Sequence, residues 1–161
     1  RGTMAHNTVV INKKNSSDVW GGFRVGRRAK PKLIDFQPNK DKFKLIASHS
    51  GYSRLGRNCI HMRSWTLEKN SLLVTDEILG NFEEAKAIFI LNSDLICRPT
   101  NNNSVNIYSD SSLLAEVNVL EGNLVINTCT ISENFGKLIP TNRLEILTND
   151  QGKISTYINI F

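Results

Sequence analysis

Little in this chain is suited to covalent or metal scaffolding. Of 161 residues only three are cysteine, at Cys59, Cys97 and Cys129. They form no CxxC unit, which argues against a zinc knuckle or a dithiol redox motif and leaves room for one disulfide at most. Cys59 and Cys129 lie in strand-like apolar segments, where a thiol behaves as a small hydrophobe. No apolar run approaches the roughly 18 residues needed to span a bilayer, and no signal-peptide pattern is present. Gly21, Gly22 and Gly26 lie outside any strand-to-helix context, so they make no dinucleotide fingerprint. The chain opens on Arg1 rather than methionine, and a preceding segment is expected.

What is there is globular: 40% hydrophobic and 22% charged, with enough length to bury one core. The net charge of +5 conceals an asymmetry: residues 1–70 carry a net +11 and residues 71–161 a net −6. Such a split suggests an anionic partner for the first half. Nucleic acid, an acidic polysaccharide, a neighbouring acidic domain and a merely solvated basic face all satisfy it. A nucleic-acid role is disfavoured, because the aromatic-basic surface motif of a single-strand binder is missing.

β-Branched and aromatic residues alternate with polar ones between clusters of Asn, Gly, Ser and Asp. Strands are expected at 6–12, 23–30, 32–36, 42–48, 59–67, 71–79, 104–108, 113–120, 124–131, 143–148 and 153–161. The pair 59–67 and 71–79 reads as a hairpin turning at Glu68-Lys-Asn70. Residues 83–91 contain the helix-forming Glu-Glu-Ala-Lys-Ala, but the apolar run after it and the surrounding strands favour strand. About a dozen short strands imply an all-β, antiparallel β-sandwich, read as a single domain over residues 1–161.

Several stretches, taken in order, carry a resemblance. Arg1-Gly-Thr-Met-Ala-His-Asn-Thr-Val-Val10 resembles a segment of the heparinase II/III-like family. Asp18-Val-Trp-Gly-Gly-Phe-Arg-Val-Gly-Arg-Arg-Ala29 is similar to its arginine strand. Ser48-His-Ser-Gly-Tyr52 with His61-Met-Arg63, Leu73-Val-Thr-Asp76-Glu-Ile-Leu-Gly80 and Asn134-Phe-Gly-Lys137 resemble later parts of it. The resemblance implies the C-terminal β-sandwich of a bacterial polysaccharide lyase that cleaves uronic-acid glycans, glycosaminoglycans among them, by β-elimination. It implies an α/α toroid N-terminal to the sandwich, in cis, with the substrate cleft between them. The toroid would supply a catalytic tyrosine and its partner, and a further histidine would come from upstream, so no catalytic residue is expected within this chain. A periplasmic or cell-envelope location, or a cytoplasmic one, fits. The competing expectation is a non-catalytic carbohydrate-binding or structural sandwich in capsule or exopolysaccharide handling.

Particular residues follow from these readings. The resemblance makes His6 a ligand for a divalent metal, zinc or calcium, completed by upstream groups, so no metal is expected on this chain alone. The alternative for His6 is a ring hydrogen-bonded to a neighbouring loop. Asn7 and Thr8 are expected to satisfy backbone groups at the strand start. Arg1, Arg24, Arg27 and Arg28 have the guanidinium forks that match carboxylate and sulfate. Strand alternation puts Arg27 on the opposite face from Arg24 and Arg28 unless Gly26 bulges. Trp20 and Tyr52, beside glycines, are candidate sugar-stacking faces, whereas Trp65 on an alternating strand is expected in the core. His49 and His61 read as hydrogen-bonded residues.

Overall fold

The computed structural model describes residues 2–39, 42–55, 58–149 and 151–161. Among these residues fourteen strands run in chain order: β1 Val9–Ile11, β2 Asp18–Trp20, β3 Arg24–Gly26, β4 Pro31–Gln37, β5 Lys42–His49, β6 Ile60–Glu68, β7 Ser71–Leu79, β8 Ala85–Ile90, β9 Leu95–Asn101, β10 Ser104–Ser109, β11 Ser112–Glu121, β12 Asn123–Asn134, β13 Lys137–Leu147 and β14 Lys153–Ile160. Single 3-10 turns stand at Thr3–Ala5 and Ser53–Leu55, and among the described residues there is no α-helix. Among the described residues no helix is long and apolar enough to cross a membrane.

The strands form an eight-stranded sheet, β4-β5-β6-β7-β14-β11-β10-β9, a four-stranded sheet, β1-β8-β13-β12, and a small β2-β3 ribbon. Their pairings are antiparallel. The expected all-β sandwich is therefore the fold. Its core lies between the two larger sheets. One cluster joins Val9, Ala87 and Ile146 of the smaller sheet to Ile78, Val119 and Ile154 of the larger. A second joins Leu144 to Val105, Ile107 and Val117. No residue of β4, β5 or β6 belongs to either cluster, so the larger sheet runs past the smaller one on that side.

Local propensity yields to pairing in the helix-forming stretch. Ala85–Ile90 is strand because it is hydrogen-bonded on both sides, to β1 and to β13. β9 was not among the expected strands, because Pro99 interrupts its pattern. That strand is the sheet edge, where a missing N–H is tolerated. The expected strand over 23–30 shrinks to three residues because Arg27 takes a positive φ of 38° and leaves it.

Truncating Ile146, which is fully buried in the first cluster, should cost about 2–5 kcal/mol as Ile146→Ala, read as a lower urea midpoint at unchanged slope.

Candidate functional site

The two-residue turn between Glu68 and Ser71 sets the register of β6 against β7 and thereby places Arg63 directly opposite Asp76. On the other side, β5 places His49 opposite His61. Alternation along β6 puts His61, Arg63 and Trp65 on one face of the larger sheet, where it runs past the smaller one. The result is a polar cluster in the seam between the sheets: Asp76 is 1% exposed, His61 3% and Arg63 6%.

The Asp76 carboxylate collects three donors. His61 Nε2 lies 2.6 Å from Oδ1, Arg63 Nε donates to Oδ1 at 2.6 Å and Nη2 to Oδ2 at 2.9 Å. Burial pushes the Asp76 pKa upward, but the His61 and Arg63 bonds outweigh it and hold the carboxyl below the usual carboxylate range. An ionised carboxylate only accepts, so His61 carries its proton on Nε2 and its Nδ1 is an acceptor. His49 Nε2, 3.2 Å away, then supplies the proton, while His49 Nδ1 accepts the Gly51 N–H at 3.2 Å. Hydrogen-bond logic thus fixes both rings as Nε2–H tautomers. Burial, and next the neighbouring His61 ring and Arg63 guanidinium, lowers the His49 pKa to about 4.

Above the cluster lies a cleft with two lobes that share Thr8 and His49. One, of about 200 Å³, is bounded by Asn7, His61, Arg63 and Trp65 among others. The other, of about 350 Å³, is bounded by Thr3, His6, Ser16, Val19 and Val25 among others. The His6-Asn7-Thr8 segment is the divide between them and is tied down tightly. Asn7 O accepts from Arg63 Nη1 at 2.8 Å, Asn7 Oδ1 accepts the Ile90 N–H at 2.8 Å, and Thr8 O accepts the Ile88 N–H at 2.9 Å. The His6 ring itself is exposed at the cleft, with no side-chain partner among the described residues.

The residues singled out in the sequence do not assemble here as a group. His6 lines the cleft; Arg1 lies outside the described residues. Val19 and Val25 pair across the β2-β3 ribbon and face the cleft, so alternation turns their neighbours Trp20 and Arg24, also paired, to the other face. The Trp20 ring lies over Gly26, 2.9 Å from where a Cβ would stand. Arg27 is held by Asp18 at 2.5 Å, and Asp18 also pairs with Arg54 at 3.0 Å.

Tyr52 is a correction. Its ring is 0% exposed and its hydroxyl donates to Val9 O at 2.8 Å, so it has no face to offer a sugar. The cause is Gly51: a Cβ there would sit 2.4 Å from Ser16 O, and this close approach draws the next residue into the core. Burial pushes the Tyr52 pKa up to about 12. Trp65, expected in the core, is half-buried at the cleft rim.

Among the described residues no three His, Cys, Asp or Glu side chains gather as a metal site requires. His6 offers one donor where a structural zinc site wants about four, so these residues do not by themselves fit a metal.

With this geometry in view, comparison with known proteins is decisive. The heparinase II/III-like, C-terminal family matches residues 1–155. The chain belongs to that family. A solved heparinase III gene product shares the fold at a TM-score of 0.67 and 15% identity. The match covers all of this chain and 24% of that protein, so this heparinase II/III-like chain spans about a quarter of its structural relative's length. No curated protein matches it.

The pH dependence of stability follows from His49. Its folded pKa of about 4 lies below the ordinary 6.5, so the unfolded chain takes up the proton first as pH falls. Stability should be full above pH 6.5 and decline toward pH 4, and His49→Gln should flatten that decline in urea melts taken across the range. Asp76 acts lower, below its ordinary value of 3.8, where protonation removes a carboxylate that the fold stabilises.

Proposed function

We propose that this chain is the β-sandwich part of a polysaccharide lyase that cleaves uronic-acid glycans by β-elimination. The observation that carries the reading is the exposed imidazole of His6, fixed on a tied-down segment inside an open cleft, in a chain of this family.

β-Elimination removes the proton α to a uronic carboxylate, so that carboxylate needs neutralising, a base must reach the proton and an acid must protonate the leaving oxygen. This chain's residues meet only part of the demand. Arg63 is already neutralised by Asp76, and both nitrogens of His49 are engaged. His6 remains to meet the ligand or to join a divalent metal, zinc or calcium, whose other ligands lie outside the chain. The tyrosine and its partner come from an α/α toroid joined in cis, and the further histidine from a segment upstream of His6. The basic first half favours an acidic polymer over a neutral one.

The test uses the full-length protein with a panel of uronic-acid polysaccharides, following the unsaturated product by its ultraviolet absorbance. Absorbance should appear with the wild type and fall by about 100-fold or more in His6→Ala. Retained glycan binding without any absorbance would move the protein to the non-catalytic carbohydrate-binding reading.

A further inference from the structure

An ion pair in the seam of a sandwich needs a reason. Desolvating Arg63 and Asp76 costs several kcal/mol per ion, and an apolar pair of similar volume is often at least as stable there. Strand register does not need the pair either, because the β6-β7 ladder is continuous from Ile60 opposite Leu79 to Glu68 opposite Ser71. What the pair does provide is a guanidinium held in one orientation. Nε and Nη2 are locked on Asp76, and the group lies 5.6 Å from the Phe89 ring centre and 5.9 Å from that of Trp65. Behind Asp76, His61 Nε2 takes up the carboxylate's remaining capacity on that side.

The remaining arm of the guanidinium, Nη1, crosses from the larger sheet to the main-chain oxygen of Asn7, the residue after His6. We propose that Arg63 is the positioning residue for His6: it clamps the Asn7 carbonyl and so fixes where the cleft's open imidazole points. The inference rests on the reading of the cleft as the glycan site and deepens it. Arg63 acts through His6 rather than on the glycan, because its charge is neutralised by Asp76 and its fork is occupied. A uronic carboxylate approaching it would compete with a bidentate partner already in place. The clamp matters because a displacement of about 1 Å at a reacting group can cost about 100-fold in rate.

The test compares Arg63→Lys in the full-length protein with the wild type. A single ammonium can hold Asp76 or reach the Asn7 carbonyl, but it has no fork to do both. Turnover of the uronic polymer should fall about 10–100-fold with KM within about twofold of wild type. The ring signal of His6, assigned in NMR spectra by its loss in His6→Gln, should shift or broaden. Glu145→Gln is the control. It breaks another buried ion cluster, in which Glu145 binds Lys86 and Arg143, none of which lines the cleft. It should lower the melting temperature while leaving both kcat and the His6 signal unchanged. Should Arg63→Lys fail to fold, Phe89→Leu removes one wall of the guanidinium slot and must move kcat and the His6 signal in the same direction.

A folded Arg63→Lys, or failing that Phe89→Leu, with wild-type kcat and an unmoved His6 signal would overturn the proposal. An equal response in Glu145→Gln would overturn it too. If the wild type itself gives no product from any uronic polymer, the lyase reading falls. The His6 signal then decides the positioning role alone: movement in Arg63→Lys supports it, and its absence ends it.

Discussion

A carboxylate buried in the seam of a β-sandwich must be surrounded by donors or lose its charge, and this requirement organises everything around Asp76. His61 and Arg63 supply three hydrogen bonds to it. Each of these groups then reaches outward. His61 fixes the tautomer of His49, and Arg63 holds the carbonyl of Asn7. One ionised group thereby connects β5, β6 and β7 of the larger sheet to the segment leading into β1 of the smaller one. Charges in so dry a place strengthen each other's hydrogen bonds, and a missing partner is correspondingly costly.

The cluster lies where it does because the two sheets differ in width. Four strands cannot cover eight, and on that side no strand of the larger sheet beyond β7 contributes a residue to the apolar clusters. Beyond that line the inward face of β6 carries His61, Arg63 and Trp65 in place of aliphatic side chains. The cleft is the space left by the mismatch, roofed in part by the β2-β3 ribbon through Val19 and Val25. Its polar floor is thus a consequence of the topology as much as of the individual residues.

Much of the fold was legible beforehand because alternation and turn residues are local signals. The hairpin of β6 and β7 was legible to within one residue: its turn is Lys69-Asn70 rather than Glu68-Lys-Asn70, and that single residue of register is what sets Arg63 opposite Asp76 instead of Thr75. The buried pair was therefore not legible from the strand pattern, since a one-residue change of register replaces the partner and neither residue stands out alone. Tyr52 misled for a different reason: a glycine-flanked aromatic looks like a loop platform, and only the tertiary approach of Ser16 to Gly51 shows why the ring turns inward. Arg27 departs from the expected strand through its backbone, whose positive φ ends β3 at Gly26 and lets the side chain pair with Asp18. Neither approach nor dihedral can be read from spacing.

The central claim is that Arg63 and Asp76 act as one unit on which the cleft depends. A double-mutant cycle in urea tests it most directly, using Arg63→Met, Asp76→Leu and the two together. The account predicts that each single change costs about 3–5 kcal/mol by stranding a buried charge, and that the double change costs far less than their sum. Single effects that add to within about 0.5 kcal/mol would contradict it, showing two independent side chains rather than one coupled pair.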